Sequence, residues 1–278
     1  MFEGRRLVIA TKHRKEEILA PLLEKELGVI CFVDPHFDSD LFGTFSGEIE
    51  RKENPWVTAK LKVERAMEMT NCDLGIASEG SFGNHPIIHF LPADEELLML
   101  YDKKNEATFV WRELSVETNF KGAYISSLAD LEDFATKVKF PSHALILRKS
   151  KDCKEEIIKG ILDWNFLVDA FNNLRKCNES VFIETDMRAM FNPTRRKVIS
   201  TAVEKLMNII KSTCPVCQFP GFSVVESKKG LPCNECHSPT QSTLSLIYKC
   251  KKCGAIEEEF FPNGKKEEDP TFCLWCNP

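Results

Sequence analysis

The sequence predicts an α/β protein with a mixed sheet flanked by helices, followed by a C-terminal metal-binding module. Strand-like and helix-like segments alternate through roughly the first 200 residues, which is the pattern of α/β folds. Two Asn-Pro pairs mark helix starts, because Asn caps a helix and Pro suits its first position. Eight of the twelve cysteines lie after residue 213, in four Cys-x-x-Cys pairs.

The strands of the main domain are predicted from short apolar runs bounded by polar or glycine-rich turns. The run at 73–78 is apolar enough for a buried strand, and 102–105 has the composition of a hairpin turn between two strands. The glycine- and acid-rich stretch 34–51 indicates a loop. The predicted strands cover residues 7–11, 29–33, 73–78, 95–101, 107–112, 144–147 and 181–184.

The helices are predicted from apolar residues that recur three and four positions apart. The first runs from the basic turn after residue 11 to Gly28, and the second begins at Asn54-Pro55. Later helices are expected over 129–139 and 155–176, and from Asn192-Pro193. We therefore expect an α/β domain over 1–150, a helical extension over 151–211 that completes its core, and a separate module over 212–278.

The four Cys-x-x-Cys pairs have the spacing of structural zinc ligands. Two pairs complete one tetrahedral site, so the module predicts a tandem zinc ribbon with two zinc ions. We expect sequential pairing, with the first two pairs on one ion and the last two on the other, although a crossed arrangement also fits the spacing. The ligands are Cys214, Cys217, Cys233, Cys236, Cys250, Cys253, Cys273 and Cys276.

The composition and the apolar pattern of the sequence limit the compartments and partners that we expect. No segment has the pattern of a signal peptide or the length of an apolar membrane span, so we expect a reduced, cytoplasmic protein in which the cysteines bind zinc rather than form disulfides. The formal net charge is −5, which gives no general attraction to nucleic acid. Contact with nucleic acid through Lys249, Lys251 and Lys252 is possible but not indicated.

Three polar clusters follow predicted strands, where open α/β sheets bind their ligands. The turn at 11–15 combines a hydroxyl, a row of cations and free amides at a helix start, which suits a phosphate group, although a solvated basic turn fits it equally. After the buried strand, Glu79 is a candidate carboxylate ligand for Mg²⁺, although a glutamate before glycine is also common in turns. The third cluster places Asp186 as a further catalytic candidate beside Arg188 and Arg195, which would bind substrate. Asp186 and Arg188 equally fit a structural ion pair.

Segments 7–17, 54–62 and 74–83 resemble, in order and spacing, the inosine-triphosphate-pyrophosphatase superfamily of non-canonical purine nucleoside triphosphate hydrolases. The likeness covers about residues 7–148. It departs from the family at Trp56 and Val57, where members carry glutamates, and at Ala77-Ser78, where many carry paired aspartates. The whole chain also resembles a bacterial family of unknown function with a C-terminal zinc ribbon.

The first resemblance implies an ITPase-like fold and a Mg²⁺-dependent pyrophosphohydrolase that releases pyrophosphate from a nucleoside triphosphate. Glu79 would be the catalytic carboxylate that holds the metal, while Thr11, Lys12 and Lys15 would bind the phosphates. Ser78 and Ser81 would be secondary donors. The missing acids favour an alternative: a non-catalytic protein that binds a nucleotide or another phosphorylated ligand while its ribbon docks a macromolecular partner. A third hypothesis assigns all function to protein contacts of the ribbon.

Overall fold

The computed structural model describes residues 1–44 and 46–278. These residues form two compact units, Met1–Leu206 and Met207–Pro278. Three short 3-10 helices supplement the regular elements, at Ser39–Phe42, Ala189–Phe191 and Pro270–Phe272. Among the described residues, no helix has the length and apolar character that crossing a membrane requires.

The first unit begins with a five-stranded mixed sheet of order β2-β1-β3-β4-β5. Strand β1 runs parallel to its neighbours β2 and β3, while the central strand β3 is antiparallel to β4, and β4 to β5. The prediction of a mixed sheet flanked by helices is confirmed. Its elements are β1 (Arg6–Ala10), α1 (Glu16–Leu27), β2 (Ile30–Phe32), α2 (Pro55–Thr70), β3 (Leu74–Asn84), β4 (Pro92–Asp102) and β5 (Ala107–Ser115).

Helix α2 packs closely on this sheet. Asn54 caps it by accepting a hydrogen bond from the backbone N–H of Val57 at 3.0 Å, as the Asn-Pro pair predicts. A Cβ at Gly75 would lie 2.7 Å from a methyl group of Val63 and 2.9 Å from Met67 Cγ. Glycine therefore allows the helix to approach the strand closely, and this contact sets the distance between α2 and β3.

The second part of this unit is a four-stranded antiparallel sheet of order β6-β9-β7-β8, with its own apolar core. Helix α3 begins with a capping box between Ser127 and Asp130. The elements are β6 (Gly122–Ile125), α3 (Leu128–Lys137), β7 (Leu145–Arg148), β8 (Ile158–Ile161), α4 (Trp164–Arg175), β9 (Val181–Thr185) and α5 (Pro193–Lys211).

The predicted helix over 155–176 is wrong in its first part. Residues 158–161 form strand β8, and Gly160 has a φ of +69°, which a helix does not accept. The helix begins only after Asp163, whose carboxylate accepts a hydrogen bond from the backbone of Phe166 at 2.9 Å. The stretch 151–211 therefore supplies two of the four strands of the second sheet as well as helices.

The second unit is a three-stranded antiparallel sheet of order β10-β11-β12, formed by Ser223–Lys229, Thr243–Lys249 and Ile256–Phe260. Its apolar core is small. Phe222 stacks on Tyr248 with ring centroids 5.8 Å apart, next to the buried Cys214 and Cys250. Cysteine side chains thus occupy core positions in this unit.

Candidate functional site

A cavity of about 570 Å³ opens in the first unit, and most of its charged residues are cations. Of the described residues that line it, nine are lysine or arginine and four are aspartate or glutamate. The acids are Asp40, Glu79, Asp152 and Glu184. The cations are Lys15, Arg51, Lys62, Arg148, Lys151, Lys154, Lys159, Arg188 and Arg195. This excess of positive charge favours an anionic ligand.

The basic turn after β1 supplies Thr11 and Lys15 to the cavity, but not Lys12. Lys12 forms ion pairs with Asp38 at 2.7 Å and with the lining residue Asp40 at 2.9 Å, but it does not line the cavity itself. His13 lines the cavity instead, with its Nε2 atom 2.9 Å from a carboxylate oxygen of Asp40. Burial lowers the pKa of His13 below its ordinary value.

Lys15 is buried at the cavity wall. Because β1 pairs in parallel with β3, residues 10 and 77 lie side by side, and the turn faces Ser78. The Lys15 ammonium donates to Ser78 Oγ at 2.7 Å and to its carbonyl oxygen at 3.3 Å. Burial, together with the positive charge of Arg195, lowers the pKa of Lys15 to about 8.

Glu79 lines the cavity from β3, but its carboxylate is already engaged by two cations. Lys62 of α2 forms a close ion pair with it, and Arg51 Nη1 lies 3.7 Å away. Arg51 also donates to Ser81 Oγ at 3.0 Å. Sequence reasoning assigned no role to Arg51 or Lys62, although a lysine within the apolar stripe of α2 was a usable signal.

Arg195 reaches the cavity from the first turn of α5. Its Nε atom donates to Glu96 at 2.5 Å, and its guanidinium lies 5.0 Å from the centre of the Phe82 ring. Behind it, Asp94 is fully buried, and neither of its carboxylate oxygens has a hydrogen-bond partner among the described residues. Burial, together with the charge of Glu96, raises the pKa of Asp94 to about 8.

Asp186 is fully buried and does not line the cavity. It accepts hydrogen bonds from Arg188 Nη2 at 2.6 Å and Nε at 3.0 Å, and from the backbone of Gly160 at 3.1 Å. Arg188 itself lines the cavity. The structure therefore places in the lining Thr11, Lys15, Ser78, Glu79, Ser81, Arg188 and Arg195, and leaves Lys12 and Asp186 outside it.

A magnesium site at Glu79 is a poor fit to the side chains present. Mg²⁺ takes oxygen ligands and usually needs one or two free carboxylates besides substrate phosphates. Glu79 pairs with Lys62 and Arg51, and Glu184 pairs with Arg148. A metal at Glu79 would have to displace the Lys62 ammonium.

The eight cysteines of the second unit form two four-thiol clusters, but in the crossed arrangement. The first and third pairs meet, and so do the second and fourth. The expected sequential pairing is wrong. The clusters are Cys214, Cys217, Cys250 and Cys253, and Cys233, Cys236, Cys273 and Cys276.

Strand pairing explains the crossed arrangement. Ser223 at the start of β10 pairs with Lys249 at the end of β11, which brings the first pair beside the third. Cys233 bridges to Glu268, which brings the second pair beside the fourth. Sulfur–sulfur distances of 3.5 to 3.9 Å match the edge of about 3.8 Å expected for a tetrahedron with zinc–sulfur bonds of about 2.3 Å. The thiols fit two structural zinc ions.

A family model described as a domain of unknown function (DUF6671) matches residues 62–278. The chain belongs to this family. No curated protein matches the chain. The residues matched to the DUF6671 family include both cysteine clusters and most of the cavity lining, from Lys62 to Arg195. The basic turn with Thr11 and Lys15 precedes the matched segment.

Proposed function

We propose that the first unit binds a phosphorylated small molecule in its cationic cavity. The observation that carries the proposal is the excess of nine cations over four acids around 570 Å³ of space. Phosphoryl groups are strong hydrogen-bond acceptors with up to two negative charges, and lysine and arginine are their usual partners. The volume falls in the range of small-molecule sites.

Several cations of this cavity have no carboxylate partner among the described residues, so the cavity can accept a negatively charged ligand. Lys151 and Lys154 are exposed at the cavity and form no ion pair within the described part of the chain. Lys15 is buried, and its direct hydrogen bonds go to a hydroxyl and a carbonyl rather than to a carboxylate. A buried ammonium without a carboxylate is costly, and a phosphoryl group beside it would offset that cost.

Within this proposal Asp186 is a positioning residue. Its hydrogen bonds orient the Arg188 guanidinium, and Glu184 does the same for Arg148. Both carboxylates thereby fix the direction of a cation at the cavity wall. The zinc ions of the second unit are structural in this view, because four thiolates leave no open coordination position.

Pyrophosphohydrolase activity is the second candidate. It rests on the sequence resemblance and on the position of Glu79 in the cavity lining, next to Ser78 and the Lys15 ammonium. Under this candidate the cations bind the phosphates, and Glu79 acts only after it separates from Lys62. Release of pyrophosphate from nucleoside triphosphates with Mg²⁺, lost in Glu79→Gln, would support hydrolysis; no release over a broad panel leaves binding alone.

Calorimetric titration with ATP, AMP, pyrophosphate and the uncharged nucleoside adenosine tests the binding proposal. The double variant Lys151→Glu/Lys154→Glu should weaken binding of the phosphorylated compounds by at least about tenfold, equivalent to about 1.4 kcal/mol. The matched control is Lys103→Glu/Lys104→Glu, an equal charge change at an exposed hairpin turn. Absence of binding by every phosphorylated compound, or equal losses in both variants, would refute the proposal.

A further inference from the structure

The first unit contains a second cavity, of about 510 Å³, which shares no lining residue with the cationic cavity. Neighbouring residues alternate between the two. Phe120 and Arg195 line the first, whereas Asn119, Lys121 and Thr194 line the second. The chain around 119–121 and the start of α5 thus contribute to both cavities.

Four lysines line this second cavity: Lys121, Lys137, Lys139 and Lys197. Lys137 is paired with Asp133 at 2.6 Å, but the other three form no ion pair with any described residue. Two acids also line the cavity, Glu113 and Glu117. The cavity therefore has a surplus of positive charge.

One of those acids is already committed. Glu113 accepts hydrogen bonds from Lys205 and from the Trp111 indole, both at 2.8 Å. Its charge is therefore largely compensated by a residue outside the cavity lining. The three unpaired lysines then face only the carboxylate of Glu117.

Hydroxyl groups accompany the lysines. Ser115 Oγ accepts from the backbone of Glu117 at 3.1 Å, and Thr118 Oγ1 accepts from that of Phe120 at 3.2 Å. Each hydroxyl therefore keeps its own hydrogen for a further acceptor. Thr201 adds another hydroxyl to the lining. Ammonium and hydroxyl donors in one cavity match the needs of a tetrahedral oxyanion.

His143 lies buried behind this wall and reports on the charge there. Its Nε2 atom accepts from the backbone N–H of Thr194 at 3.2 Å and lies 2.9 Å from that residue's hydroxyl oxygen. Burial lowers the pKa of His143, and the ammonium groups of Lys139 and Lys197 lower it further. Lys139 and Lys197 thus both lower the pKa of the same imidazole, although their side chains are exposed.

We propose that this second cavity is a separate oxyanion site, which takes phosphate, pyrophosphate or a phosphoryl group held by Lys121, Lys139 and Lys197. This second site goes beyond the proposed function, because none of the described residues that line it lines the cationic cavity. A ligand here would replace the missing counter-charge of the three lysines and would accept from the free hydroxyls.

The test uses the full-length zinc-loaded protein and inorganic pyrophosphate, with the imidazole signals of His143 followed by NMR at constant ionic strength. Pyrophosphate should shift these signals and raise the pKa of His143, because an anion opposes the two lysines. The shift should persist in Lys151→Glu/Lys154→Glu and in the control Lys103→Gln/Lys104→Gln. In Lys121→Gln/Lys197→Gln the apparent Kd should rise at least tenfold.

Two results would overturn this site: His143 signals that do not respond to pyrophosphate, or a response that is unchanged in Lys121→Gln/Lys197→Gln. If instead the proposal for the first cavity is wrong, calorimetric binding will be unaffected by Lys151→Glu/Lys154→Glu, so the two proposals can be refuted separately. Free phosphate and a phosphoryl group on a larger molecule are distinguished by repeating the titration with phosphate and with AMP.

Discussion

Substitution of Gly80 by alanine should destabilise the first unit and impair its cationic cavity. Gly80 lies on β3 directly opposite Glu96 of β4. An added Cβ would lie 2.4 Å from Arg195 Nη2 and 2.8 Å from Glu96 Oε1. Both groups are buried and joined to each other, and Arg195 also donates to the carbonyl oxygen of Met187. The methyl group therefore requires the guanidinium to move.

The expected cost follows from overpacking a well-ordered interior, which is typically about 1–3 kcal/mol. Alternatively, the Arg195–Glu96 ion pair breaks. This leaves a buried carboxylate unpaired and destabilises the fold by about as much as overpacking or more. For a unit of this size, each kcal/mol lowers Tm by about 2–4 °C. Binding of a phosphorylated ligand should also weaken, because Arg195 leaves its place in the lining.

Gly83→Ala is the matched control on the same strand. A Cβ at Gly83 would have no neighbouring atom within 4 Å, so this variant should have unchanged or slightly higher stability. Urea denaturation and calorimetric titration of both variants give the comparison. If Gly80→Ala matches Gly83→Ala in free energy of unfolding and in ligand affinity, the packing around Arg195 is not as described.

Two further predictions address the metal clusters and the cavity. Because Cys214 and Cys250 belong to one cluster, Cys214→Ser/Cys250→Ser should lose one zinc ion per chain by native mass spectrometry, whereas Cys214→Ser/Cys233→Ser should lose both; the opposite pattern would indicate sequential pairing. Since Lys15 attracts a phosphoryl group only when protonated and its pKa is about 8, ligand affinity should fall as the pH rises through about 8, above the pKa of about 6 at which the phosphoryl group gains its second charge. Lys15→Gln should reduce this fall in the calorimetric titration but not abolish it, because the pKa of Asp94 is also about 8 and its ionisation adds a negative charge close to Arg195; an unchanged profile in that variant would exclude Lys15 as a cause.

Local sequence patterns predicted the parts of the fold that depend on near neighbours. The Asn54 cap, the buried stripe of α2 and the hairpin after β4 are all set within a few residues, and the structure has them. Strand β8 was missed because residues 155–176 have apolar residues that also suit a helix. Its pairing with β7, and the left-handed Gly160, are tertiary features that periodicity does not contain.

The candidate site likewise has features that the sequence predicts and features that depend on tertiary contacts. Lys15 and Ser78 were predicted from strand ends, and parallel pairing of β1 with β3 does bring them into contact. Lys12 and Lys15 are equivalent by sequence, but only the three-dimensional positions of Asp38 and Asp40 decide that Lys12 is used elsewhere. Glu96 and Arg195 are 99 positions apart, so their pairing lies beyond any local motif.

The crossed arrangement of the cysteines has a consequence for how the second unit is made. Ribosomal synthesis proceeds from the N-terminus, and neither cluster is complete until its late pair has left the exit tunnel. The first cluster is complete only with Cys250 and Cys253, and the second only with Cys273 and Cys276. A nascent chain that carries Cys214 to Cys236 holds two half-sites and no whole one. Each half-site therefore depends on a pair that is synthesised after it, and a chain that is cut between Cys253 and Cys273 keeps the first cluster but leaves the thiols of Cys233 and Cys236 without their partners.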